Sequence, residues 1–325
     1  MRLSSTPVKL GAYAGGLAVA FAAAFTVGSA LDPVTDTAAA APAGSAEHEE
    51  TDAGGHDDGH GAADAATPPA GLAVSERGYT LAPAAGSLPA GSSVPFAFTV
   101  TGPDGAPVQE FTEEHEKELH LIVVRRDLAG FQHVHPARDA AGTWSVPLDL
   151  AQGGSYRVFA DFTPAALGEG LTLGTDLSVA GDYAPEPLPA PAATAAVDGY
   201  EIRLAGTPVA GRESELTFTV SRNGREVTDL EAYLGAFGHL VSLRTGDLAY
   251  LHTHPAQEAH GDETGGPAVQ FATTFPTNGS YRLFLDFAHG GRVHTAEFTV
   301  TVGAPAAPEL PASDPAAHDA IPHED

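Results

Sequence analysis

The sequence has no cysteine and, after Met1, no methionine. The first absence excludes disulfides, thiol nucleophiles, thiolate metal sites and blue-copper centres together. The second leaves no thioether to hold Cu(I). Basic residues are scarce: 15 Lys and Arg stand against 42 Asp and Glu, for a formal net charge of −27. Phosphate backbones are gripped by clustered Lys and Arg, so no nucleic-acid partner is expected. A helix-rich composition is missing too. With 37 Gly, 26 Pro and 18% charged residues, the chain reads as short strands, turns and low-complexity segments. Its 325 residues suffice for one large or two ordinary domains.

Enzyme motifs are also lacking. His115-Glu116-Lys117-Glu118-Leu119 opens like His-Glu-x-x-His but carries Leu where the second His belongs. No Gly-x-Ser-x-Gly elbow occurs, and Gly168-x-Gly170 lies between strands with no helix to follow. Asn278-Gly279-Ser280 is formally a glycosylation acceptor but reads better as a turn. An enzyme is not expected.

What is present begins at the N-terminus. Arg2 and Lys9 precede an uncharged run of 22 residues, Leu10 to Leu31, long enough to cross a bilayer as a helix. The basic flank holds that side in the cytoplasm and places the rest outside. Residues 1–31 are therefore expected to be a signal anchor, giving a single-pass membrane protein with extracytoplasmic C-terminal domains. The alternative is a signal peptide cleaved near Gly28-Ser29-Ala30, giving a secreted protein. Residues 32–70 hold nine acids and no Lys or Arg, and are expected to be a disordered acidic linker. Its His48, His56 and His60 lie among carboxylates that either chelate metal loosely or only solvate a spacer. Residues 304–325 read as a disordered acidic tail with His318 and His323.

Between these ends the sequence reads twice. Gly78-Tyr79-Thr80-Leu81 matches Gly199-Tyr200-Glu201-Ile202, and Phe96–Val100 matches Leu216–Val220. His120–Arg125 matches His239–Arg244, Phe131–Pro136 matches Tyr250–Pro255, and Gly154–Phe162 matches Gly279–Phe287. Two copies at this spacing are tandem domains: 71–183 and 194–303, joined by a Pro/Ala linker at 184–193. Each holds about seven apolar or β-branched runs punctuated by turn residues, the pattern of an antiparallel sandwich. The fold class is thus all-β, two tandem immunoglobulin-like or cupredoxin-like β-sandwiches. Gly-Ser-Tyr before each late strand predicts a tyrosine corner, with Val158 and Leu283 two residues on in the core.

Both copies carry one strand His followed by His-x-His-Pro. His120 precedes His133 and His135 by 13 and 15 residues, and His239 precedes His252 and His254 by the same intervals. Strand side chains alternate, so both members of His-x-His point one way. His239, Val241 and Leu243 share a face, expected to be the core face of the copy, with His239 at its rim. Three imidazoles converging there would make a metal site with one position open in each copy. Imidazole without sulfur suits Cu(II), Zn(II) or Ni(II), and the affinity order together with export favours Cu(II), with zinc second. The alternative is that these histidines only satisfy local hydrogen bonds.

Neighbouring residues extend the pattern. His294 occurs only in the second copy and is a candidate fourth ligand there, while His115 occurs only in the first. His260 and His289 read as solvated. Asp161 and Asp286 match, and each could orient a ligand by accepting a ring N–H. The competing expectation is a local ion pair with Arg157 and Arg282, on the same face of the strand.

Taken together, KELHLIVVRRDLAGFQHVHP…GSYRVFADFTP and FGHLVSLRTGDLAYLHTHP…GSYRLFLDF…GRVHTAEF resemble a group of membrane-anchored or secreted actinobacterial heavy-metal-binding, copper-associated proteins. The resemblance spans residues 78–302 and the anchor. It implies an extracytoplasmic location and a metal connection, and on its pattern His120, His133, His135, His239, His252, His254 and His294 are the metal positions. The expected function is capture, buffering or hand-off of a divalent metal ion, with the membrane and a metal transporter or envelope protein as partners. The competing class is a structural or interaction module of the cell envelope with no metal site.

Overall fold

In the computed structural model, residues 69–303 are described, apart from His252. The expected anchor, nearly all of the acidic linker, the tail and His252 lie outside the described residues. Within them every regular element is a strand, and no helix is long and apolar enough to cross a membrane.

Alternation decides one sheet of each copy. Along Gly91–Thr101, Val94, Phe96, Phe98 and Val100 are buried while their neighbours are exposed or half-buried. Glu213–Arg222 repeats this with Leu216, Phe218 and Val220. A strand with period-two burial has one face on a core and one in water. The first copy's outward sheet runs in the order Ser75–Glu76, Tyr79–Pro83, Gly91–Thr101, Thr143–Leu150, Ala137–Arg138. Its second sheet runs Ser87–Pro89, Leu171–Ala180, Gly154–Pro164, Leu119–Arg125, Gln132–Val134, with Ser87–Pro89 parallel to its neighbour. The second copy repeats both sheets, with His239–Arg244 and Gly279–His289 paired in the inward one and Arg292–Val302 along the far side of Gly279–His289. This division of strands is the immunoglobulin arrangement.

The tyrosine corners form in both copies. Tyr156 Oη donates to the Gln152 carbonyl and Tyr281 Oη to that of Thr277, each at 2.9 Å. Val158 and Leu283 are fully buried beside them, as the motif requires.

The inward sheets do not alternate. All seven residues of Leu119–Arg125 are buried, as are Tyr156 to Pro164 and Tyr281 to Ala288. Leu119, Leu121 and Val123 face the first copy's own core, with Phe96, Phe98 and Trp144. Ile122 and Val124 face the other way, into a cluster with Leu128, Phe159, Val241, Leu243, Leu248, Tyr250 and Phe284. The face of Val241 and Leu243 is therefore not the second copy's own core, as the alternation suggested. It is the surface on which the two copies pack. Leu240, Leu283 and Leu285 fill the core instead. Burying one such side chain is worth about 1.5–3 kcal/mol, so a cluster of nine makes the pairing a substantial part of the fold.

The packing is isologous. Phe131 stacks on Phe284 with centroids 3.9 Å apart, and their counterparts Tyr250 and Phe159 meet at 5.7 Å. When residue i of one copy meets j of the other, and j meets i, the copies are related by an approximate two-fold axis. The segment before the first strand is stitched into the same interface, since Tyr250 N donates to the Ala70 carbonyl at 2.9 Å. Gly71, with φ +74°, lies so close to Phe159 that a Cβ would fall 2.6 Å from its ring.

Candidate metal centre

The hairpin after His120 builds the site. Leu119–Arg125 pairs with Gln132–Val134 so that Leu121 opposes Val134 and Ile122 opposes His133. One further step of that register sets His135 opposite His120, with His133 as the diagonal neighbour. Opposed and diagonal positions in an antiparallel pair share a face within side-chain reach. The intervals of 13 and 15 residues are thus the signature of one hairpin.

Three ring nitrogens converge. His120 Nδ1 lies 3.1 Å from His133 Nε2 and 3.2 Å from His135 Nε2, and all three atoms fall within 4.8 Å of one another. Nitrogens bound to one tetrahedral ion at about 2.0–2.1 Å stand roughly 3.3–3.4 Å apart. The observed spacing is close to that edge.

The outer nitrogens fix the tautomers. His120 Nε2 faces the Glu114 carbonyl at 3.0 Å, an acceptor only, so it carries the proton. His133 Nδ1 faces Asp286 Oδ2 at 2.7 Å and carries its proton for the same reason. His120 Nδ1 and His133 Nε2 then point at each other across 3.1 Å. His135 can donate to only one of them. Burial, and then the adjacent His133, lower the His120 pKa from 6.5 to about 4. Burial, then His133 and His120, bring His135 to about 3, so both rings are neutral at pH 7. Three imidazole nitrogens so placed could hold a divalent cation among them.

The Glu114 carbonyl is presented by a tight turn in which His115 and Glu116 both have positive φ, 50° and 64°. Glu114 and Lys117 exchange backbone hydrogen bonds across it. The second copy makes the same turn with Leu234 and Gly235. The non-glycine residues hold a conformation that costs each about 1–2 kcal/mol, beside the cluster.

The second copy enters the site directly. Asp286 is its residue, and with the His133 side chain it is almost fully excluded from solvent, at 2% and 1% exposure. His239 stacks on its own counterpart His120, with centroids 5.4 Å apart and planes 9° from parallel, and its ring also meets His133 and His115. Equivalent residues that touch each other lie on the two-fold axis. Among the described residues, His120, His133, His135 and His239 gather on that axis. His254 is exposed and lines, with His115 and Glu114, both a cavity of about 440 Å³ reaching His120 and a groove of about 360 Å³ reaching Glu258 and His260. His252 lies outside the described residues.

His294 does not join the cluster. It pairs with Phe287, on the opposite face of its sheet from Asp286. Its Nδ1 donates to Asp198 at 2.7 Å and its Nε2 faces the His289 carbonyl. Nor is His289 merely solvated, because its ring nitrogens meet the Tyr200 hydroxyl and Asp229. His260 is exposed, 3.6 Å from Glu258.

Asp286 is the residue whose partner the sequence did not reveal. Matching Asp161 and Asp286 was visible, but their hydrogen bonds run elsewhere than to the Arg four residues before each. Arg157 binds Asp176 and the Gly71 and Leu72 carbonyls, and Arg282 binds Glu297 and Thr299. Each aspartate accepts from a threonine on the next strand, Thr172 at 3.0 Å and Thr295 at 2.6 Å. Its other oxygen reaches across the interface, Asp286 to His133 and Asp161 to the Tyr250 hydroxyl at 3.4 Å.

The tandem sandwiches correspond to one sequence family. Residues 73–179 and 195–304 each match the family described as Domain of unknown function (DUF8832). The chain belongs to the DUF8832 family. No curated protein matches it. Similar solved structures include FdeC, an Escherichia coli adhesin, at 15% identity over 71% of this chain and 66% of that one, with a TM-score of 0.23. A Salmonella alpha-2-macroglobulin is 16% identical over 73% of this chain and 15% of its own, at 0.25. Domains 4 and 5 of the S-layer protein SbsC are 12% identical over 49% and 69%, at 0.22. Scores this low support no argument about function.

Proposed function

We propose that this member of the DUF8832 family is a membrane-tethered extracytoplasmic protein that binds a divalent metal ion through His120 Nδ1, His133 Nε2 and His135 Nε2. Its role is capture, buffering or hand-off to a transporter or envelope partner, without turnover. The observation that carries the reading is the convergence of three imidazole nitrogens within 4.8 Å, with the outer nitrogens of His120 and His133 facing acceptors. The all-imidazole donor set favours Cu²⁺, with Zn²⁺ next. The tether rests on the apolar run from Leu10 to Leu31 behind Arg2 and Lys9. A second reading, an envelope module braced by its histidines, draws on the burial of the cluster between two sheets.

Titration calorimetry of Cu²⁺ and Zn²⁺ into the chain without its His-bearing ends separates the two. The metal reading expects tight uptake that is lost in the H120A/H133A/H135A variant. At metal concentrations 100-fold above Kd, stability should rise by about 2.7 kcal/mol. Uptake that is weak, or indifferent to the substitutions, leaves the envelope module.

A further inference from the structure

We propose that the metal affinity of the first sandwich is set by the second: Asp286 is a positioning residue that acts across the pseudo-two-fold interface on His133. This rests on the metal reading above and adds to it a coupling between the two domains.

A neutral imidazole presents a ligand nitrogen on one side only, and the hydrogen bond on the other side chooses which. In isolation the first sandwich offers His133 no partner for Nδ1 among its described hydrogen bonds. The acceptor is Asp286 Oδ2 at 2.7 Å, 153 residues further along the chain. Asp286 is itself held, because Thr295 Oγ1 donates to its Oδ1 at 2.6 Å and its strand pairs it with His239. The carboxylate thus has one oxygen for its own domain and one for the other. With His133 protonated on Nδ1, Nε2 turns its lone pair to His120 and His135. A flipped tautomer would put a hydrogen into that space and remove one ligand of three.

The apolar cluster and the Phe131–Phe284 stack keep the two sheets in register, so that Asp286 reaches His133. A ligand whose affinity depends on that register must strengthen it in return, since coupling between two equilibria is reciprocal. Metal at the first copy's histidines and pairing of the two copies therefore stabilise one another.

The test uses the full chain and three variants. D286A removes the acceptor, D286N keeps a neutral one, and S145A alters an exposed residue of the outward sheet. Long-range ¹H–¹⁵N spectra of metal-free protein report the His133 tautomer without any ion present. Zn²⁺ titration then reports affinity. Wild type and S145A are expected to show Nδ1–H at His133. D286A should lose that preference and bind Zn²⁺ 10- to 100-fold more weakly, with D286N in between. Melting curves establish that each variant is folded, and D286N carries the test if D286A is not. An Nε2–H tautomer in the wild type, or equal affinity in folded variants, overturns the coupling alone. A wild type that takes up no ion overturns the metal reading and the coupling with it.

Discussion

The outward and inward sheets of each sandwich draw on the same apolar alphabet yet meet different surroundings. Along Gly91–Thr101 every second side chain reaches solvent, whereas along Leu119–Arg125 none does. An outward strand answers to one core. An inward strand answers to its own core on one face and to the other copy on the other. The histidine cluster sits on the second kind of surface, and this explains why imidazoles and carboxylates there are buried and cross-linked between domains, and why burial lowers the pKa of His120 and His135. Pairing two copies of a plain sandwich made an enclosed polar site that neither copy holds alone.

If that contrast is right, a charge should be tolerated on the outward sheet and ruinous on the inward one. Val241→Asp would bury an unpaired carboxylate in the interface, and is expected to cost about 3–5 kcal/mol in chemical denaturation. Phe284→Ala removes the ring stacked on Phe131 and should cost a similar 3–5 kcal/mol by the same measurement. A loss below about 1 kcal/mol for either would mean that the copies are not packed through this face.

Smaller changes sharpen the comparison between the copies. Ser242 is fully buried with an unpartnered hydroxyl where the first copy has Val123. Ser242→Val should therefore raise stability by about 1 kcal/mol, read as an upward shift in Tm. Glu116→Gly gives the first copy's turn the residue that the second has in Gly235, and should relieve up to about 1 kcal/mol of backbone strain. Ser145→Asp, exposed on the outward sheet, is expected to stay within about 0.5 kcal/mol of the parent.

Much of this was legible in the residues. The duplication, the sandwich class and both tyrosine corners follow from short-range pattern: period-two alternation, turn residues and Gly-Ser-Tyr. The intervals from His120 to His133 and His135 were enough to gather three imidazoles, because a hairpin register is local. Misreadings came where a face had two candidate destinations. His239, Val241 and Leu243 were rightly grouped on one side of a strand, but alternation does not say whether that side meets its own core or another domain. His294 was assigned to the site as a histidine found only in the second copy, on its last strand. Register puts it opposite Phe287, on the far face from Asp286.

The sequence by itself determined that each copy is a sandwich, that no sulfur ligand is available and that one hairpin brings three histidines together. These depend on composition and on contacts a few residues apart. Only the tertiary structure decided that the copies face each other about a two-fold axis, that His120 and His239 stack there and that Asp286 orients a histidine 153 residues away. Contacts of that span depend on which buried faces find each other, and the burial pattern of a single strand is the same whichever partner covers it.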